Sequence, residues 1–143
     1  MVVLLDVNVL LYAHREEIPD HPAYRAWLEE LIHSPQAYGL TDLVVSSFLR
    51  IATHSRIFDP PSPLDAALTF ADQIRDRPNR VAIAPGVRHW EIFTRLCRQV
   101  QCKGNLVQDA YLAALAIESG SEWITTDRDF SRFPDLRWRH PLA

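Results

Sequence analysis

Three aspartates stand against apolar runs that a folded chain must bury: Asp6 after Val2-Val3-Leu4-Leu5, Asp109 within Leu106 to Ile117, and Asp127 after Trp123-Ile124-Thr125-Thr126. An isolated carboxylate withdrawn from water is strongly destabilised, so acids in such places are paired, protonated or metal-bound. Clustered carboxylates also raise one another's pKa unless a cation intervenes. A hard divalent ion with oxygen ligands removes that repulsion, and Mg²⁺, which keeps several waters and accepts substrate phosphate, is the expected ion. Such an ion can orient water for in-line attack on a phosphodiester and stabilise the leaving oxygen. Asn8 is placed to hydrogen-bond a ligating carboxylate or a metal-held water. Asp129 is either a fourth acidic contributor or the N-cap of a short helical turn. Any one of these acids alone also reads as an ordinary turn or cap residue. Three at matching topological positions argue for a metal site.

The elements that must position them alternate between strand and helix. Val2 to Leu5 is a β-branched apolar run of the kind buried on both faces of a parallel sheet. A short helix is expected over Asn8 to His14, and a second from Pro22, with Ala23, Trp27, Leu28, Leu31 and Ile32 at helical spacing, stopped by Ser34-Pro35. Ala37 to Leu40 reads as a strand, and Thr41 or Asp42 as the cap of a helix running to about His54. Ser62-Pro63 supplies a cap and a first-turn proline for a helix ending near Arg77-Pro78. Val81 to Ala84 is a third strand, and Arg88 to Gln99 an amphipathic helix with Trp90, Phe93, Leu96 and Cys97 on one side. Asn105 is the expected N-cap of a helix from Leu106 to Glu118, with Gly120 at its C-terminal stop. Glu122 to Thr125 is a fourth strand. A helical turn near Asp129 to Phe133 and an edge strand at Leu136 to Trp138 close the chain.

Strands spaced by helices imply right-handed crossovers and one α/β domain over residues 1–143, with helices on both faces of a mostly parallel sheet of four or five strands. Ligands bind beyond the carboxyl ends of strands in such sheets. Asp6 and Asp127 each follow a strand and so share that edge. Asp109 flanks the sheet-facing stripe of its helix (Leu106, Ala110, Ala113, Ala114, Ile117), and this reading puts it in the first helical turn, where the dipole favours an anion. Small alanines let that helix approach the sheet.

Bulk properties restrict less. The 143 residues suffice for a single core. Cys97 and Cys102 are too few for a disulfide framework or zinc site, and no apolar run approaches a membrane span, so a cytoplasmic protein is expected. The net charge of −3 argues against a generic nucleic-acid coat, yet fourteen of the fifteen basic residues are arginine, whose planar fork suits phosphate. Codon bias explains that excess equally well. Arg75, Arg77, Arg80, Arg88, Arg95, Arg98 and Lys103 cluster in one third of the chain, a stretch able to offer phosphate contacts. Arg50 is able to pair with a site carboxylate, contact phosphate or simply snorkel, and Lys103-Gly104 to present a cation and amides to phosphate. His54 reads as a capping or surface residue. Tyr111, Trp90 and Trp123 read as core aromatics.

Four segments in order, LLDVNVLLYA, FLRIATHSRIF (Phe48 to Phe58), NLVQDAYLAALAIESG (Asn105 to Gly120) and ITTDRDFSRFP (Ile124 to Pro134), resemble the successive motifs of PIN-domain ribonucleases. Their spacing is similar to that of VapC toxins of type II toxin–antitoxin systems, over nearly the whole chain. The resemblance implies a three-layer α/β/α PIN fold and a Mg²⁺- or Mn²⁺-dependent endoribonuclease. It also implies a homodimer and a cognate VapB-like antitoxin. It matches Asp6, Asp109, and the pair Asp127 and Asp129 to the family's acidic positions. The family commonly carries a glutamate just before Phe-Leu-Arg, where this chain has Ser47, and nothing acidic replaces it unless Asp42 reaches in.

Two other classes are consistent with some of these features. An RNA-binding or regulatory module with weak or lost catalysis is motivated by Ser47, and absence of Mn²⁺ binding would favour it. A phosphatase forming an aspartyl-phosphate on Asp6 would want a general acid two residues on, and Asn8 cannot serve.

Overall fold

The computed structural model describes residues 1–143. Its elements are β1 (Val3–Leu5), α1 (Val7–His14), α2 (His21–Ile32), β2 (Tyr38–Leu40), α3 (Asp42–Ala52), α4 (Leu64–Arg75), β3 (Arg80–Ala82), α5 (His89–Val100), α6 (Asn105–Ser119), β4 (Glu122–Ile124), the 3-10 turn η1 (Arg128–Arg132) and β5 (Trp138–Arg139). All five strands are parallel, in the order β3-β2-β1-β4-β5. Helices α1 to α4 pack among themselves, as do α5 and α6, which gives the three layers.

This order has a consequence for the site. From β1 the chain builds outward through β2 to β3, then returns across the sheet to place β4 on the other side of β1. The reversal lies between β1 and β4, and a crevice opens at the carboxyl ends of the two strands on either side of such a switch. Leu5 is in register with Ile124, so the residues after them leave the sheet together.

Burial follows position in the sheet. β1 and β2 are wholly buried and β4 nearly so, while β3 and β5, the edges, are part exposed. The core joins Leu4, Leu5, Tyr38, Leu40, Phe48, Leu96, Leu115 and Trp123, all nearly inaccessible. The Tyr38 hydroxyl donates to the Ile74 carbonyl, fastening β2 to α4.

Several boundaries differ from the sequence reading. Thr41, not Asp42, caps α3, its Oγ1 accepting from Val44 N at 3.1 Å. α4 begins at Leu64 with Pro63 in the cap position, and the Ser62 hydroxyl instead meets His14 Nε2 at 2.9 Å and Arg15 at 3.0 Å. α6 begins at Asn105 with Gly104 in the cap position at φ 61°, so Asn105 is a helical residue and not the cap. Asp109 consequently lies in the second turn, beyond the reach of the first-turn dipole argument. β5 sits two residues later than expected at its start. Trp90 is 70% exposed, because α5 buries His89, Ile92 and Leu96 instead. Trp123 is fully buried as expected, and Tyr111 half-buried against His89 and Phe93.

The arginine-rich third is largely occupied with holding the fold. Arg75 pairs with Asp42 at 3.0 Å, Arg77 Nε donates to the Ile32 carbonyl, Arg80 donates to the Leu40 carbonyl, and Arg95 stands 3.7 Å from Asp135. Arg88, Arg98 and Lys103 remain exposed.

Gly120 links two elements that the site needs. It ends α6 in the left-handed region at φ 65°, and Ser121 N then bonds the Ala116 carbonyl as the chain turns into β4. A Cβ in that conformation costs about 1–2 kcal/mol. Gly120→Ala should therefore lower the unfolding free energy by about that amount, and Gly120→Asn by less. Urea denaturation of the three proteins checks the order.

Candidate metal centre

Asp6 is the first residue after β1 and the N-cap of α1. It is 4% exposed, and its carboxylate is fully engaged. Oδ1 accepts from Val7 N at 2.7 Å, and Oδ2 accepts from Thr125 Oγ1 at 2.7 Å. Its own amide donates to the Ile124 carbonyl at 3.0 Å, continuing the β1–β4 ladder by one bond.

Thr125, completely buried, then passes the connection on. Its Oγ1 accepts from Asp127 N at 3.0 Å while donating to Asp6. Asp127 in turn caps η1, its Oδ1 accepting from Asp129 N at 2.9 Å. The cap of this turn is thus Asp127 and not Asp129. Asp6, Asp127 and Asp129, separated by over a hundred residues of chain, are joined by one chain of hydrogen bonds. Sequence alone does not mark Thr125 as a site residue, because a threonine at a strand end reads as a β-former. The signal available was its hydroxyl two residues ahead of an acid, the spacing of a local turn bond.

Asp109 reaches the same crevice from α6 and is half-buried. Burial is the main cause that pushes its pKa up to about 6, followed by the charges of Asp127 and Asp129. Asp6 is likewise pushed up to about 6, by burial first. Its hydrogen bonds from Thr125 and Val7 pull it down, and the charges of Asp109 and Asp127 push it up. The acids therefore act on one another, as the expected cluster requires.

The other expected participants make no hydrogen bond to these carboxylates. Asn8 lies half-buried on α1, and the bonds to Asp6 come from Val7 and Thr125. Ser47 is half-buried on α3. Asp42 does not reach in to replace an acid there, since it is 82% exposed and held between Arg75 and Arg80. Arg50 and Lys103 are exposed. His54 caps its own turn, its Nδ1 accepting from Arg56 N.

The carboxylates act on one another through their charges without closing into one coordination sphere: no group of three acids, histidines or cysteines is drawn together tightly enough to hold a metal ion. The donor chemistry still fits a divalent cation, because the crevice offers carboxylate oxygen from three elements and the ionised forms of its acids are disfavoured by burial and, beyond that, by mutual repulsion.

A PIN domain family model matches residues 3–136. The chain belongs to the PIN-domain family. Among its relatives, a VapC ribonuclease of Mycobacterium bovis is 41% identical over 141 residues, covering 99% of this chain and 96% of that protein. Ribonuclease VapC25 of Mycobacterium tuberculosis is 38% identical over 138 residues, covering 96% and 97%. The VapBC-1 structure from nontypeable Haemophilus influenzae aligns with a TM-score of 0.71 at 15% identity, covering 100% of both chains. The VapBC2 structure from Rickettsia felis, bound to a promoter DNA fragment, gives 0.70 at 16%, covering 98% of both. No helix of this PIN domain is long and apolar enough to cross a membrane.

The raised pKa values have a measurable consequence for stability. An acid titrating near 6 in the folded chain and near 3.8 when unfolded binds its proton more tightly when folded. Its ionised form therefore destabilises the fold above about pH 6, and that loss is recovered as pH falls from 6 towards 3.8. In EDTA, Asp109→Asn should unfold at a higher temperature than the wild type at pH 7.5. The advantage should shrink progressively between pH 6 and 4, as followed by circular dichroism.

Proposed function

We propose that this PIN domain is a divalent-cation-dependent endoribonuclease that hydrolyses RNA phosphodiester bonds and serves as the toxin of a VapBC-type pair. The single observation that carries the reading is the linked set of buried and half-buried carboxylates at the β1/β4 switch point, with Asp6 and Asp109 both near pKa 6. The relatives named as VapC ribonucleases support RNA as substrate.

Asp6, Asp109 and Asp127 would hold the cation, Mg²⁺ or Mn²⁺, with Asp129 contributing charge from the rim. Bound there, the cation offsets the repulsion among the acids and supplies Lewis acidity at the scissile phosphate. The chain's own residues do the positioning. Val7 N and the Thr125 hydroxyl fix the Asp6 carboxylate in one orientation, so ordering it costs little when the ion arrives. Asp109 approaches from α6, opposite the two strand ends. Asn8, with its amide in the first turn of α1, is available to steady a water at the site. Arg50 and Lys103, exposed and free of ion pairs, are available to RNA phosphate. A homodimer and a small VapB-like antitoxin as partner follow from the same family reading.

Asp109→Asn and Asp6→Ala should each abolish RNA cleavage and the growth arrest caused by expression. Mg²⁺-dependent cleavage that persists in both would overturn the assignment. The reading that catalysis has been lost, motivated by Ser47, makes the opposite forecast for the wild type. Calorimetric titration with Mn²⁺ should show binding that Asp109→Asn weakens at least tenfold, whereas no heat at millimolar metal would favour the non-catalytic module.

A further inference from the structure

The turn that Asp127 caps also forms one wall of a second feature. A groove of about 840 Å³ runs between η1, β5 with the segment after it, and the start of α2. Arg128 and Ser131 are three residues apart in a 3-10 turn, hence on one side of it, and both line the groove together with Trp138. Arg128 is exposed and belongs to none of the ion pairs.

Arg139 and His140 of the lining are already committed. Arg139 is held by Glu122, with Nε and Nη2 each 3.2 Å from Oε1. His140 accepts from Leu142 N at 3.1 Å and packs against Tyr24. Asp20 is the only acidic side chain present. On its η1 and β5 side the groove therefore offers a free guanidinium, a hydroxyl and a half-buried indole, with the exposed and unpaired Asp20 at the α2 side.

Its position ties it to the carboxylates. Arg128 stands between Asp127 and Asp129 in the chain, and η1 and the segment after β5 both leave the sheet at its carboxyl edge. A strand of nucleic acid lying across the acids would enter this groove on one side. The acids themselves repel phosphate, so affinity for the polymer must come from neighbouring groups. A guanidinium takes a phosphate through paired hydrogen bonds, and an indole takes the face of an unpaired base, which a duplex does not present.

We propose that this groove binds the single-stranded stretch of RNA next to the cleaved bond, with Arg128 and Ser131 on a phosphate and Trp138 against a base. The proposal rests on the nuclease reading for its ligand, but its test needs no cleavage. Binding of a short 5′-fluorescent single-stranded oligoribonucleotide is measured by anisotropy in EDTA over a range of salt. Arg128→Ala should weaken binding and reduce the slope of log affinity against log salt by about 0.7, the loss of one phosphate contact. Trp138→Ala should weaken it about fivefold or more, and Trp138→Phe, which keeps an aromatic face, should restore it. The same sequence as a duplex should compete poorly.

Unchanged affinity and salt slope in Arg128→Ala overturns the groove, and so does equal competition by the duplex. If Trp138→Ala does not fold, the Arg128→Ala slope and the duplex competition decide. A wild type that binds through Arg128 and Trp138 but cleaves no RNA under Mg²⁺ or Mn²⁺ supports the groove and removes the nuclease. Cleavage with groove-independent binding does the reverse.

Discussion

The hydrogen bond from the Thr125 hydroxyl to Asp6 Oδ2 holds the rest of the site in place. It joins the end of β1 to the end of β4 at the point where strand order reverses, and Thr125 Oγ1 itself accepts from the Asp127 amide. One buried hydroxyl thereby does three things: it satisfies a carboxylate that burial would otherwise leave short of partners, it sets the path from β4 into η1, and it orients the next acid. A hydrogen bond to a buried charge contributes about 1.5–3 kcal/mol, more than the typical neutral pair. The position is intolerant for the same reason, since deleting the hydroxyl would leave Oδ2 and the Asp127 amide unpaired together.

The acids are a liability that the fold carries for the site. Burial first, and then neighbouring acids, push the carboxyls of Asp6 and Asp109 up to about 6 by disfavouring their ionised forms. A site built only for stability would place serine or asparagine there. The hydrogen bonds from Val7 and Thr125 offset part of the strain at Asp6, but Asp109 has no such partner among the causes of its shift. Perturbed carboxylates gathered in a crevice are the kind of arrangement found at functional centres, and Asp109, unlike the helix cap Asp6, has no hydrogen bond that gives it a structural role.

The sequence made the fold and the three principal acids legible for a definite reason. Continuous apolar runs at Val3–Leu5 and Trp123–Ile124 announced buried parallel strands, and an acid directly after each could only lie at the carboxyl edge. What stayed hidden depended on side-chain direction. Thr125 looked like one more β-branched strand residue. Asn105 has the right chemistry for a cap, yet Gly104 with its positive φ takes that position and moves Asp109 one residue further into the helix. Trp90 sits on a hydrophobic-looking stripe, but α5 turns His89, Ile92 and Leu96 inward and leaves the indole in solvent. The clustering of arginines in one third of the chain suggests phosphate contacts, whereas Arg77 and Arg80 reach back to carbonyls of α2 and β2. No periodicity encodes such long-range contacts.

The serine at position 47 makes sense within the same electrostatics. Every acid added to the crevice raises the pKa of those present, and Asp109 already responds to two neighbours, Asp127 and Asp129. Asp129 supplies that charge from an exposed position, so it adds to the field without a desolvation penalty of its own. Asp42, the nearest acid in sequence to Ser47, is instead neutralised by Arg75 and Arg80 on the far side of β2. With Ser47 in place the repulsion that the proposed cation would offset comes from Asp6, Asp109, Asp127 and Asp129 alone. A smaller negative charge means weaker attraction for a divalent ion and a less destabilised fold without one, and the two effects have the same origin.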